Sequence, residues 1–548
     1  MRYLGVAFIL VVLSSCKPEP MEKADFLILN AKIWSDGMTD PYDAVAIKED
    51  TILAVGFSDD LKARISPETR LIDAGGAFLC PGFIDSHVHF LQGGANLNSV
   101  QLRDADSPEE FIRRIADFAK KAPAGSWITG GDWNHESWGG ELPDRNWIDS
   151  VTAGHPVFIN RLDGHMALAN TKAMELAGIK ANAADVPGGA IVRDASGRIT
   201  GIFKDNAMDV FYSAIPAPGP DQEDRDLQAA MAYVASHGVT SVHHMGTFAD
   251  LAVFERNRKN GRLITRIYAA TPLGQWEELV KKTEADGKGD DWLHWGALKG
   301  FVDGSLGSHT AAFFEPFTDS PADTGLYVNT AENLRSWIMG ADKSGLHVVV
   351  HAIGDRANNL ILNIYEETEK ADGPRDRRFR VEHAQHLKPA DIPRFARLGV
   401  IPSMQPYHAI DDGCWAEKVI GPERCKTTYA FRSLLDSGAT PAFGSDWFVA
   451  PPIPLEGIYA AVFRRTLDGK NPDGWVPEQK ITVEEALKAY TSGAAYSAFE
   501  DGKKGRIEKG KLADLVLLDT DLIHADPEAI RSAKVLWTMV GGKLVFEK

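Results

Sequence analysis

Cysteine is scarce in this chain, four among 548 residues, which excludes a fold held together by disulfides even in an oxidising compartment. Setting aside Cys16, discussed below, Cys80, Cys414 and Cys425 remain. The last two either pair across their loop or stay as free thiols, and no function attaches to them. Basic charge is also short: 59 Lys and Arg face 76 Asp and Glu, a formal net charge of -17. That sign repels phosphate backbones and anionic headgroups, so nucleic acid is excluded as a partner. There is no glycine-rich phosphate loop after an early strand, which argues against a doubly wound nucleotide-binding sheet. A GxSxG elbow and a catalytic cysteine pattern are missing as well.

What is present is a globular composition, 44% hydrophobic and 25% charged, long enough to bury a large core and to hold more than one structural unit. The first residues, MRYLGVAFILVVLSSC, place one Arg before an apolar stretch and then small residues, the layout of a secretory signal. The LSSC ending resembles a bacterial lipoprotein box. It implies a signal peptide at 1–15, a lipidated Cys16 and a polar tether at 16–24. The chain is then exported to the periplasmic face of a membrane, the outer membrane in preference, and touches lipid only through this anchor. A plain signal peptide is the alternative.

Short β-rich segments from residue 26, among them FLILNAKIW and DAVAIKEDTILAVG, match in style the C-terminal GKLADLVLLD and KVLWTMVGGKLVFEK. The two ends therefore predict one composite β-sandwich domain over 25–80 and 500–548. Between them, over 81–499, eight apolar segments of strand length begin at GFIDSHVHF, and most are separated by text with helical periodicity. Strand alternating with helix eight times predicts a (β/α)8 TIM barrel, an α/β fold. Ser107 with Glu110, and Thr482 with Glu485, read as capping boxes at helix starts. Residues 95–235 are too long for a connection and read as an insertion after the first barrel strand, folded over the mouth.

His87 and His89 sit two apart at the end of the first strand, so both side chains point to one side and can share an ion. Such a pair alone is a common accident. Lys299, His351, His383 and Asp446 also interrupt apolar text near the C-terminal ends of later strands, where barrel enzymes gather their catalytic groups. Each has a structural reading: a core histidine bonded to a carbonyl, a helix cap for Asp446, a snorkelling lysine for Lys299. Taken together, six such interruptions point to one shared metal site. Imidazole and carboxylate ligands without thiolate suit zinc best, with iron or manganese open.

PGFIDSHVHF, HAIGD, VEHAQ and FGSDW, in that order, resemble the amidohydrolase superfamily. With GDWNHESWGGELP, RLDGHMALAN, TGIFKDNAM and KGFVDGSLGSHTAA they resemble its branch related to N-substituted formamide deformylase. The resemblance implies a metal-dependent hydrolase of carbon–nitrogen bonds, acting on a small-molecule amide or formamide with one or two ions. It implies that His87 and His89 hold the first ion, that His351 and His383 hold a second or orient substrate, and that Asp446 and His383 are catalytic. Lys299 would bridge two ions as a carbamate formed with CO2, because an unmodified lysine is a cation and a poor ligand; Lys204 and Asp205 are rival sources of a bridge. Trp133, Asp163, His165 and His309 lie in motifs of that branch and are expected to line the substrate pocket. Trp133 can equally be packing and Asp163 turn chemistry. A deaminase, a cyclic-amide hydrolase and a non-catalytic substrate-binding lipoprotein are the competing readings, and a homodimer is left open.

Overall fold

The computed structural model describes residues 21–548 apart from Ala153. The proposed signal peptide, Cys16 and most of the tether lie outside the described residues. The eight apolar segments fold as parallel strands: β1 Phe83–Val88, β2 Val239–Met245, β3 Arg266–Pro272, β4 Leu293–Phe301, β5 His347–Ala352, β6 Arg380–His383, β7 Ile401–Met404 and β8 Ala442–Phe443. Each pairs with the next in chain order. β8 meets β1 through a Val88–Trp447 bridge, with His89 N donating to Trp447 O at 2.6 Å and Asp446 N donating to His87 O at 2.7 Å. Helices such as Phe248–Lys259, Ala331–Lys343 and Asp355–Asp372 cover the outside. A parallel sheet covered on both faces explains why β1, β2 and β5 are buried along their whole length.

The inserted segment builds its own six-stranded sheet, ordered Gly189–Arg193, Ile199–Asp205, Met166–Ala169, Phe158–Arg161, Gly130–Trp133 and Val100–Gln101. A separate core containing Phe111, Ile115, Ile159 and Leu168 packs against it. The insertion ends earlier than residue 235. The helix Pro220–Ala235 puts Leu227, Ala230, Met231 and Val234 into the barrel's own hydrophobic cluster, so it belongs to the barrel's outer layer.

The termini supply two small sheets. One is ordered Thr51–Gly56, Ala44–Lys48, Phe26–Leu29 and Arg70–Asp73, and the other Lys32–Ile33, Phe78–Pro81, Leu515–Leu518, Val535–Val540 and Lys543–Glu547. Ile28, Val45 and Ile47 of the first pack with Leu79, Leu515 and Trp537 of the second, which gives the sandwich. Residues 500–504 depart from that domain, since Glu500 and Lys504 sit under the barrel beside His243 and Ser241.

Thr482 and Glu485 form the expected reciprocal capping box. Ser107 caps its helix, but the Glu110 carboxylate turns to Arg113 and Arg114 instead of back to the cap. Cys80, Cys414 and Cys425 are free thiols. Among the described residues no helix is long and apolar enough to cross a membrane.

Candidate metal centre

The C-terminal ends of the strands bring four of the expected ligands to one place. His87 Nε2 and His89 Nε2 each stand 3.3 Å from Asp446 Oδ1, and His383 Nδ1 lies 4.0 Å from Asp446 Oδ2. Gly444 makes this approach possible: a Cβ there would sit 2.6 Å from His87 N and 2.7 Å from Asp85 Oδ1. Asp85 accepts from Ser445 N at 2.9 Å and Ser445 Oγ at 2.5 Å, which fixes the turn that presents Asp446. Asp446 itself has φ +60°, a left-handed backbone that a non-glycine residue adopts at a cost.

The imidazoles of His87, His351 and His383 are held neutral. His87 Nδ1 donates to Glu382 Oε2 at 2.5 Å and His383 Nδ1 donates to Gln405 Oε1 at 2.8 Å, so each leaves Nε2 as a lone pair. His351 uses Nε2 to donate to Gly304 O at 3.0 Å and keeps Nδ1 open. Its ring lies 4.5 Å from that of His383. Burial, reinforced by neighbouring cations and imidazoles, pushes the pKa of His87, His351 and His383 well below the ordinary value.

Asp446 Oδ1 is buried and has no hydrogen-bond partner. A carboxylate oxygen facing an imidazole lone pair is repelled unless a cation lies between them, and His87, His383 and Asp446 offer ligand atoms within 4.8 Å of one another. The donor set of imidazole nitrogens and carboxylate oxygen thus fits a divalent cation.

Lys299 reaches the same centre. Its Nζ lies 3.2 Å from His87 Nε2 and 4.6 Å from the Phe301 ring centroid. Burial lowers its pKa to about 8. Of the rival bridge, Lys204 Nζ donates to Ser308 O at 2.6 Å and Asp205 Oδ1 meets His165 Nδ1 at 2.6 Å, while Asp205 Oδ2 is buried without a hydrogen-bond partner.

Of the four expected pocket residues, two line the cavity and two do not. Asp163 and His165 face it. Asp163 is braced by Arg161 at 2.7 Å. Burial works against a charge on His165, but Asp205 outweighs it and raises the pKa. Trp133 is fully buried in the insertion core, its Nε1 donating to Ile159 O at 2.9 Å. His309 bonds Asp319 at 2.9 Å and packs on Phe317, away from the cavity lining. For both, a tryptophan or histidine within a motif carries no sign of which way its side chain turns.

Three contributors escaped the sequence reading. Glu382 and Arg380 stand behind His87. Asp303 accepts from Ala312 N, Ile353 N and Gly354 N at 2.8–3.0 Å, tying the loops after β4 and β5 together under His351. Charged residues inside apolar strands were the signal available for the first two.

The candidate ligands lie between two spaces that share Asp163, His165, His351, His383 and Asp446 as walls. One is a cavity of about 700 Å³ walled also by Tyr212, Phe301 and Phe448. The other, of about 40 Å³, is lined also by Arg161, Ser305 and Trp415.

The profile of the Amidohydrolase family matches residues 70–546. The chain is similar to Protein LONG AFTER FAR-RED 3 of Arabidopsis thaliana, 40% identical over 97% of this chain and 94% of that one. It is similar to the putative amidohydrolase YtcJ of Bacillus subtilis, 31% identical over 93% and 97%. It also resembles, more distantly, the N-substituted formamide deformylase of Arthrobacter pascens, 27% identical over 96% and 98%. Among solved structures, an uncharacterized metal-dependent hydrolase from Pyrococcus furiosus superposes with a TM-score of 0.71 at 29% identity, over 91% of this chain and 99% of that one.

Proposed function

The chain belongs to the amidohydrolase family and is a metal-dependent hydrolase; from that premise we propose that it hydrolyses the carbon–nitrogen bond of a small-molecule amide whose acyl group is small, a formamide foremost. The observation that carries this reading is the unequal space on the two sides of the ligands, about 40 Å³ against about 700 Å³. The lesser chamber is the more confined side and suits a small acyl group, whereas the larger one accepts a bulky, partly apolar amine. One relative bears the name N-substituted formamide deformylase, which agrees with that division.

His87, His89 and Asp446 would hold a first divalent cation, zinc by its preference for such donors, and His351 and His383 a second. A bound cation supplies an acidified water and a polarised carbonyl oxygen. Asp446 is placed to take the proton of the attacking water and to return it to the nitrogen as the C–N bond breaks, giving a carboxylic acid and an amine. His383, held by Gln405 through Nδ1, presents its Nε2 lone pair toward that second cation. Asp163 and His165 bind the polar part of the substrate at the border of the two chambers. Lys299 is assigned as the carbamate: its neutral amine adds to the carbon of CO2 and releases a proton, which converts a cationic side chain into an anionic ligand.

The test is metal content of the purified protein together with hydrolysis of N-formyl, N-acyl and cyclic amides, compared with Asp446→Asn. Cation-dependent turnover of N-formyl compounds supports the reading. Bound cation without turnover across the panel contradicts it and favours a binding protein.

A further inference from the structure

Arg380 and Glu382 are two charged residues in the four-residue strand β6, and both side chains are fully buried. Spaced by two, they share the inward face of the barrel, while Val381 between them packs outward in the apolar cluster. A buried ion pair is weak as a source of stability, because desolvating both charges offsets their attraction. Its presence in the barrel interior asks for another role.

The contacts of Arg380 supply one. Nε and Nη2 clamp the two oxygens of Glu382 at 2.8 Å each. Nη2 also donates to Ser86 O on β1 at 2.6 Å and to Ser403 Oγ on β7 at 2.9 Å, and Nη1 meets His243 Nδ1 on β2 at 3.1 Å. One guanidinium thereby fixes the plane of Glu382 against three other strands. Glu382 has its Oε2 on His87 Nδ1. The column continues downward: His243 Nε2, buried without a hydrogen-bond partner, faces Glu500 Oε2 at 4.0 Å, and Glu500 pairs with Lys504 at 2.6 Å. A line of polar groups thus runs from beneath the barrel to the first metal ligand.

We propose that Arg380 is a positioning residue for the metal centre: through its two-point grip on Glu382 it locks His87 with the Nε2 lone pair facing the cation. Without the fork, the Glu382 carboxylate is free to turn about its terminal torsion and lose the His87 N–H. The inference rests on the metal-centre reading given above.

The experiment uses the full chain stripped of metal by a chelator and titrated with Zn²⁺ and with Co²⁺, whose visible spectrum reports ligand geometry. Arg380→Met should weaken cation affinity about 10- to 100-fold and alter the Co²⁺ spectrum. The double variant Arg380→Met/Glu382→Gln should recover most of the loss, because a glutamine oxygen accepts from His87 without a counter-charge. A merely structural arginine would instead lower the melting temperature of the metal-free protein and leave the affinity and Co²⁺ spectrum of the folded single variant native. Where melting of the metal-free protein shows that Arg380→Met does not fold, Arg380→Lys, which keeps the charge but not the fork, takes its place. Native affinity and spectrum in the folded single variant, or a double variant no better than the single, would overturn the proposal while the native chain still binds metal. A native chain that binds no cation removes the functional reading as well.

Discussion

His87 and Asp446 are joined twice: Asp446 N donates to His87 O at 2.7 Å, and the Asp446 carboxylate stands 3.3 Å from His87 Nε2. The backbone bond sets β8 against β1 at the mouth, and the side chains then face each other across a gap suited to a cation. The proposed proton acceptor and the first ligand are therefore registered by the closure of the barrel.

Replacing the carboxylate with an amide tests that acceptor. Asp446→Asn should lower kcat on the order of 10²–10⁴-fold, the usual contribution of a positioned acid–base group. Steady-state kinetics on an N-formyl substrate at saturating metal measures it, and a change of a few-fold would remove Asp446 from the proton transfer.

Lys299 carries a pH signature. Burial lowers its pKa to about 8, and only the neutral amine attacks CO2. Its neutral fraction rises as pH climbs through that value, so at fixed dissolved CO2 the metal-free protein should carboxylate faster on the alkaline side. A ¹³C carbamate resonance that grows in labelled bicarbonate, and is missing from Lys299→Met, is the expected result. Equal signals from both proteins would place the modification elsewhere.

The two chambers predict an order of substrates. At constant amine, kcat/KM should fall roughly tenfold or more between N-formyl and N-benzoyl compounds, since the acyl side, beside Arg161 and Trp415, is the more confined of the two. A flat series would contradict the assignment of the chamber of about 40 Å³ to the acyl group.

Trp133 should behave as a packing residue. Trp133→Ala removes a fully buried indole and its bond to Ile159 O, and should cost about 3–5 kcal/mol of stability. Thermal or urea unfolding reads the loss, while KM at temperatures where the variant is folded should stay near the native value. A large rise in KM with little change in stability would return Trp133 to the substrate pocket.

The reading of Cys16 as a lipid anchor predicts that labelled fatty acid enters the chain when it is made in a bacterium and is lost in Cys16→Ser. Equal labelling of the two would remove the anchor.

The barrel was legible because its strands are short apolar runs broken by helical periodicity, and β5, HVVVHA, is such a run. The candidate ligands were legible together, because six polar residues interrupting such runs near their C-terminal ends are poorly explained by a separate structural reading for each. The end of the insertion was harder: the helix at Pro220–Ala235 begins with PDQEDRD, text that reads as surface, and only its contacts assign it to the barrel. Arg380 and Glu382 were legible in principle by the same rule that found the histidines, yet their role depends on partners from β1, β2 and β7 that no local pattern brings together. Trp133 and His309 failed for the opposite reason, since a motif places a residue in a segment but leaves the direction of its side chain to packing.

Everything turns on a cation among side chains drawn from distant parts of the chain. The direct measurement is a crystal structure of the purified protein, with anomalous scattering collected on either side of the zinc edge. The account predicts an ion about 2.0–2.2 Å from His87 Nε2, His89 Nε2 and an Asp446 oxygen. Metal-saturated crystals with no anomalous peak there, or with the ion bound by other residues, would contradict it.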